Sequence, residues 1–379
     1  MKSNQLFVES NTLIPVTEGI KYAGSKLKLL PQILSLCDGL DITTVLDGFS
    51  GSTRVSQAFA QLGYAVVASD RSAWSHTVGN CYLRNKKQRS EYQELIDHLN
   101  SIAGHNGWFT ENYGGFDFEG SAVQPDGSKK PWQAKNTRKL DGIREEIDRL
   151  NLDEHTKSVA MTALILAMDK VDSTLGHFTS YLKQWSPRSY NNLQLEIPKL
   201  FINEKENHVL KGDIFETLKD VRCDLAYFDP PYGSNNEKMP PSRVRYASYY
   251  HIWTSIIQND EPEIFGAAGR REDTRDTVSG SVFEEFRKDE DGRFIAVKAI
   301  EKLIKEVNAK YVALSYSSGG RATAKELNNI LKSNGHLLKV IEVDYKKNAM
   351  AGMKWTDEWL RDAEEPNREF LFLLEKKPT

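Results

Sequence analysis

The sequence predicts an α/β fold: one open sheet, split by a long and mostly helical insertion. Three observations predict it. Short apolar runs alternate with helical periodicity near the start of the chain and again in its last 170 or so residues. A polar, aromatic texture without that alternation fills the middle, and several of the apolar runs end in turns that carry Gly or Asp.

The first unit reads as strand 43–46, helix 54–62 and strand 64–68, the last closing on Ser69-Asp70. An amphipathic segment, 27–36, precedes it. From about 74 to 208 the texture is irregular, with helical pieces at 138–150 and 155–168. Alternation resumes after Gly212-Asp213 with strand 224–228, helix 294–307, strand 311–315, helix 323–331 and strands 337–343 and 370–374. The expected organisation is a sheet domain split into 15–75 and 206–379, an inserted region at 76–205, and added loops at 234–293, where charge clusters such as Arg270-Arg271-Glu272-Asp273 interrupt the pattern.

Bulk composition limits the function classes. With 379 residues, 39% of them hydrophobic, the chain can bury a large core, which excludes disorder. Lys and Arg total 50 against 53 Asp and Glu, a formal charge of −3, so any surface for a polyanion must be local. Cys37, Cys81 and Cys223 form no CxxC or Cys/His spacing, which points to reduced thiols and to no structural metal. His76, His105, His177 and His251 show no metal spacing either and are read as structural or facing a nucleic acid. The longest apolar stretch, around 163–168, is far too short for a membrane span, and the first residues lead into no signal-type apolar segment. The expectation is a soluble cytoplasmic protein.

The sharpest chemical feature is Asp229-Pro230-Pro231-Tyr232, placed at the carboxyl end of the apolar run 224–228. Open α/β sheets bind ligands at such ends. The prolines lock φ and remove backbone donors, leaving the Pro230 carbonyl and the Asp229 carboxylate as acceptors beside an aromatic ring. Two acceptors and a ring suit a planar exocyclic amine, whose lone pair becomes nucleophilic once its N–H groups are drawn into hydrogen bonds.

A second constellation runs from Asp47 through Phe49, Gly51 and Ser52 to Thr53, between the first strand and its helix, where glycine lets a ligand approach the backbone. Asp70 closes the next strand, the usual place for an acid that binds ribose hydroxyls. The full GxGxxG pattern is absent, which disfavours a pyrophosphate ligand. Lys21-Tyr22-Ala23-Gly24-Ser25-Lys26 combines two cations, a ring and a glycine, and Gly212-Asp213 ends another apolar run. Taken singly, each is equally the mark of a tight turn, a helix cap or a solvated helix start.

In this order, the motifs resemble those of the α class (Dam-like, D12) of DNA adenine-N6 methyltransferases. Lys21 to Lys26 is similar to that family's K-[WY]-x-G-[GS]-K motif and Asp47 to Thr53 to its [DE]-x-F-x-G-x-G loop, with Thr53 in place of the second glycine. Asp229 to Tyr232 matches its catalytic D-P-P-Y, and Tyr249-Tyr250-His251 is similar to a downstream Y-H segment. The resemblance implies a Rossmann-like methyltransferase sheet, S-adenosyl-L-methionine as cofactor, and direct transfer of its methyl group to the N6 amine of an adenine flipped out of double-stranded DNA. It implies a catalytic role for Asp229, Pro230, Pro231 and Tyr232, with Tyr232 stacking on the base. Cofactor binding would involve Lys21, Tyr22, Gly24, Lys26, Asp47, Phe49, Gly51, Ser52, Asp70, Asp213 and Asp229. The inserted region becomes the expected target-recognition domain, with Lys129, Lys130, Trp132, Arg138, Lys183 and Arg188 as candidate DNA contacts, and a cognate restriction endonuclease becomes a conceivable companion. Other readings left open are a methyltransferase acting on cytosine N4 or an RNA base, and a non-catalytic DNA-binding regulator with this fold.

Overall fold

The computed structural model describes residues 14–233, 245–345 and 367–377. Its centre is a seven-stranded sheet: β1 (Thr44–Asp47), β2 (Ala65–Asp70), β3 (His208–Lys211), β4 (Arg222–Phe228), β5 (Asn308–Ser317), β6 (Gly335–Tyr345) and β7 (Asn367–Lys376). The spatial order is β6-β7-β5-β4-β1-β2-β3, with β7 antiparallel to both neighbours and every other pair parallel. Successive strands run outward from β1 to β3, and the chain then returns to lay β4 on the other side of β1. Strand order therefore reverses between β1 and β4, where Asp47 lies in register with Tyr227. A crevice opens at such a switch point because the connections leave the sheet on opposite faces.

Six of the seven strands fall within a few residues of the runs read as strands; β3 is the apolar run ending at Gly212-Asp213, to which the sequence reading assigns no strand. The fully buried half of β4, Leu225 to Phe228, has apolar neighbours on both faces, the pattern of a central parallel strand. On one face lie α1 (Leu30–Leu36) and α2 (Arg54–Gln61), packed over Val45, Val66, Leu225 and Leu371. On the other, α7 (Ile295–Glu306) and α8 (Ala324–Asn334) cover Leu46, Ala226, Phe228, Leu314 and Phe372, with α8 held by a Thr323/Glu326 capping box.

A separate apolar core joins the inserted region to the sheet. It is built on α3 (Ala73–Leu83), α4 (Ala134–Arg149), α5 (Glu154–Lys170) and α6 (His251–Gln258), around Tyr82, Trp132, Leu164, Met168, Phe178 and Trp253. Helix α3 lies in sequence that reads as irregular. It is buried nearly all round, including the polar Ser75, Thr77 and Asn80, so no clean apolar stripe marks it. The segment 245–258, expected to be loops, is also helical and belongs to this core; 234–244 lies outside the described residues.

α3 approaches the sheet edge through Gly79, where an added Cβ would sit 2.7 Å from Val209 Cγ1 on β3. Gly79→Val is therefore expected to destabilise the chain by roughly 1–3 kcal/mol through overpacking. Thermal and urea denaturation would show it as a lowered midpoint, with Gly63→Val, at a position that is open to solvent and already has φ +89°, as a control for backbone strain alone.

Candidate active site

The loop between β1 and α2 is held from three sides. Gly48 N donates to Tyr227 O at 3.0 Å and Ser50 N to Ser69 O at 3.0 Å, while Gly51 N donates to Asp70 Oδ2 at 2.9 Å. Ser75 Oγ donates to Gly51 O at 2.6 Å. Gly51 has φ +47°, and a Cβ there would meet the Tyr22 ring at 3.2 Å, so its glycine is required both by conformation and by the neighbouring ring. Thr53 follows in the left-handed region at φ 58°. Its side chain is fully buried, and its Oγ1 accepts from Gln57 Nε2 at 3.0 Å, a local anchor that offsets the strain of a β-branched residue there.

Asp70 uses both carboxylate oxygens on this frame: Oδ1 accepts from Ser72 N at 2.8 Å, just before α3, and Oδ2 holds the loop. It also lines a cavity of about 410 Å³ together with Tyr22, Phe49, Trp74, Asp213, Asp229 and Tyr246. A narrow extension runs past Gly24, Lys26, Asp47, Gly51 and Ser52 and shares Tyr22, Phe49 and Asp229 with it. Asp213 caps a short helix, accepting from Phe215 N at 3.0 Å, and Phe49 lies edge-on to Phe283 at 5.2 Å. Asp47 is buried and accepts from Ser56 Oγ at 2.5 Å; burial raises its carboxyl to about 7, against the opposing pull of that bond.

Asp229 closes the cavity. Its side chain keeps 17% exposure, and its Oδ1 lies 3.0 Å from Lys26 Nζ and accepts from the Tyr232 hydroxyl. No hydrogen bond among the described residues reaches its Oδ2. Burial raises this carboxyl to about 6, Lys26 pulling it down and Glu369 pushing it up. The tetrapeptide is fixed from behind: Tyr232 O accepts from Arg321 N at 2.7 Å and from Tyr316 Oη at 3.0 Å. Lys26, itself 8% exposed, also reaches Glu369 Oε1 at 3.1 Å; burial lowers its ammonium, and the two carboxylates more than reverse that.

Rings from the helical layer form the opposite wall. Tyr22 stacks on Tyr250 at 4.8 Å and on Tyr246 at 5.4 Å, with Trp74 tilted against it at 5.6 Å. Tyr250 Oη accepts from Ala23 N at 2.6 Å. His251 beside it is buried and bonded to Phe178 O at 3.1 Å, and burial lowers its imidazole to about 3, so it is neutral and structural.

The structure thus brings together Tyr22, Gly24, Lys26, Asp47, Phe49, Gly51, Ser52, Asp70, Asp213 and the Asp229 tetrapeptide. Lys21 is elsewhere: it ion-pairs with Asp172, bonds Asp169 O, and lines neither cavity. Three candidate DNA contacts are also committed internally. Trp132 is fully buried, with Nε1 donating to Met168 O at 2.9 Å, and so presents no surface. Arg188 pairs with Asp172 at 2.7 Å, and Lys130 donates to Asn112 O at 2.7 Å. Lys183 is exposed and Lys129 and Arg138 are partly exposed; Arg138 Nε donates to Asn106 Oδ1 at 2.7 Å and its guanidinium lies over the exposed Phe116 ring at 5.8 Å, with Phe118 and Tyr190 also exposed in this region. That surface joins two segments through Ala122 N to Lys183 O and Trp185 N to Gly120 O, both 2.9 Å. Glu369 carried no signal in the sequence, since a lone acid at the start of an apolar run reads as a solvent-facing strand end; Trp74, Tyr246 and Phe283 likewise carried no motif.

Comparison with known proteins agrees with this geometry. Modification methylase StsI of Streptococcus sanguinis is 26% identical over 371 residues, 95% of this chain and 52% of that protein. Type II methyltransferase M.FokI of Planomicrobium okeanokoites is 25% identical over 374 residues, 94% of this chain and 53% of its own length. Type II methyltransferase M.NlaIII of Neisseria lactamica is 24% identical over 338 residues, 86% of this chain and 92% of its own. The chain spans about half the length of the first two relatives and nearly all of the third. The model of the D12 class N6 adenine-specific DNA methyltransferases matches residues 22–317, from Tyr22 in the first motif through the whole of β5, and the chain belongs to that family.

Proposed function

We propose that the chain methylates the N6 amine of an adenine flipped from duplex DNA at a specific site, with S-adenosylmethionine as donor, as the modification half of a restriction-modification system. The observation that carries this reading is the Oδ2 of Asp229, which no hydrogen bond among the described residues reaches, held at the cavity wall by a proline-locked turn while its sister oxygen is engaged. An amine needs an acceptor that is fixed in place and not already occupied.

The cavity suits the donor. Tyr22, Phe49 and Phe283 offer apolar faces for a nucleoside and its sulfur-bearing arm, and Asp70 and Asp213, which line the same cavity, are assigned here to the ribose and the base. Asp47, Asp70, Asp213, Asp229, Asp273 and Glu284 line the two cavities against Lys26, Arg54, Arg71, Lys211 and Arg271, and Glu369 behind Lys26 adds to this slight acidic excess, so the site leans toward a cation. When bound, the donor supplies an electrophilic methyl group. The chain's own work is positional. Asp229 Oδ2 and the Pro230 carbonyl draw on the amine's N–H groups, the Tyr232 ring supports the extruded base, and the released proton passes to water or to Asp229. No nucleophilic Cys or Ser is needed. Extrusion costs a few kcal/mol, and ring stacking returns about 1–3 kcal/mol. Lys129, Arg138 and Lys183, with Phe116, Phe118 and Tyr190, form the surface proposed to grip DNA, in an inserted region that we read as the target-recognition domain.

The decisive experiment gives the purified chain labelled donor and varied duplexes, and expects label on adenine N6; label on cytosine or on none would overturn the reading. Asp229→Ala is expected to abolish transfer while the fold persists, and retained turnover would remove Asp229 from the chemistry. A second expectation concerns pH. With the Asp229 carboxyl near 6, protonation removes the acceptor charge, so kcat/KM should fall as pH drops through about 6. Asp70→Asn should weaken donor binding by about 1–3 kcal/mol in calorimetry, because the substituted amide cannot accept at both oxygens.

A further inference from the structure

Glu369 lies on β7, 137 residues beyond Tyr232, yet it is 6% exposed and its Oε1 collects three donors: Lys26 at 3.1 Å, the Tyr232 hydroxyl at 2.5 Å and Ser315 Oγ at 2.8 Å. Two of those three also face Asp229 Oδ1. The Tyr232 hydroxyl has one proton and two carboxylates within reach, and Lys26 divides one positive charge between the same pair. The ammonium can serve both carboxylates, but the Tyr232 proton can go to only one of them at a time.

We propose that Glu369 is a positioning residue for methyl transfer: it takes the Tyr232 proton and shares the Lys26 charge, so that Asp229 stays a strong, unencumbered acceptor for the target amine. This rests on the function proposed above and names a residue it does not require. Without Glu369, Lys26 and Tyr232 would both turn their full donation on Asp229, stabilising its ionised form and weakening it as an acceptor. Ser315, buried on the neighbouring strand, fixes which oxygen of Glu369 does this, and pairing of Glu369 with Ser317 in the β5–β7 ladder sets its height along the sheet.

Other charged groups around Asp229 bear on any pH effect. Tyr22 and Lys26 face it from the N-terminal segment, Asp47 from the end of β1, Tyr227 from its own strand, Tyr232 from the turn and Tyr246 from the helical layer, with Asp70 next to Asp47. Burial drives the tyrosines Tyr22, Tyr227, Tyr232 and Tyr246 well above their ordinary range, so Lys26 and Glu369, together with Asp47, whose carboxyl is raised to about 7, are the groups whose charge acts on Asp229 near neutrality.

The test compares wild type with Glu369→Gln in full pH–rate profiles on the duplex that the wild type methylates. Removing the negative charge should move the acid limb of kcat/KM to lower pH by about one unit. It should also lower kcat at neutral pH by roughly tenfold, with KM for donor and DNA little changed. An unchanged limb in a folded variant overturns the proposal, because a purely structural role would lower yield or midpoint without moving it. Should Glu369→Gln fail to fold, Glu369→Asp carries the test: it keeps the charge on a shorter stem, so the limb should stay while kcat falls, and wild-type kcat would overturn the proposal. A wild type that transfers no methyl group removes the functional reading itself, whereas an active wild type with an unmoved variant removes only the role of Glu369.

Discussion

One buried ammonium ties the site together. Lys26 lies among Asp229, Glu369 and the Tyr232 hydroxyl, and so joins the N-terminal segment, the turn after β4 and the last strand at a single point. A lysine this deep is tolerated only if its charge is matched, since removing a partner from a buried pair typically costs about 3–5 kcal/mol. Here it is matched twice, which leaves one negative charge in excess. The ammonium holds the tetrapeptide against the sheet, while the excess negative charge, added to burial, raises the proton affinity of Asp229.

The sheet supplies the geometry that this charge exploits. Reversal of strand order between β1 and β4 opens the crevice, and the parallel register of Asp47 with Tyr227 sets the two acid-bearing turns side by side. The helical layer then closes it. Tyr246 and Tyr250 come from a segment far from Tyr22 in sequence, yet they stack on its ring, so the inserted region's core and the sheet share one wall of the cavity. Lys21, drawn to Asp169 and Asp172 at the end of α5, fastens the same segment from the other side. Lys21 thereby braces the neighbours that line the cavity.

What the sequence made legible follows from what its residues must do locally. The central strands β1, β4 and β5 were readable because a parallel strand buried on both faces shows as an uninterrupted apolar run, and Asp229 because two prolines have few other uses at a strand end. The turn residues Gly51 and Asp70 were readable for the same local reason. Illegible features depend on partners far along the chain. Helix α3 is buried on several sides and so loses its period; Trp132 mimics a surface aromatic because its neighbours are polar, while its ring is enclosed by Phe178 and Trp253. Glu369 means nothing until β7 is placed beside β5. Thr53 is the intermediate case: the departure from glycine was visible, but its buried bond to Gln57 was not.

Acidic groups crowded at this site set stability against function. Burial raises Asp229 to about 6 and Asp47 to about 7, so both bind a proton more tightly in the folded chain than in the unfolded one. The sign follows from linkage: the stabilisation that each provides is complete below its unfolded value near 4 and is lost as pH rises through 6 and then 7. The pH range in which Asp229 carries the charge needed to accept from an amine is therefore the range in which these two carboxyls stabilise the fold least. Lys26 relieves part of that tension permanently, and Glu369 reimposes some of it. The unrelieved remainder is what a cationic ligand in the cavity would neutralise, so the same repulsion that weakens the free fold becomes affinity for the donor proposed to bind there.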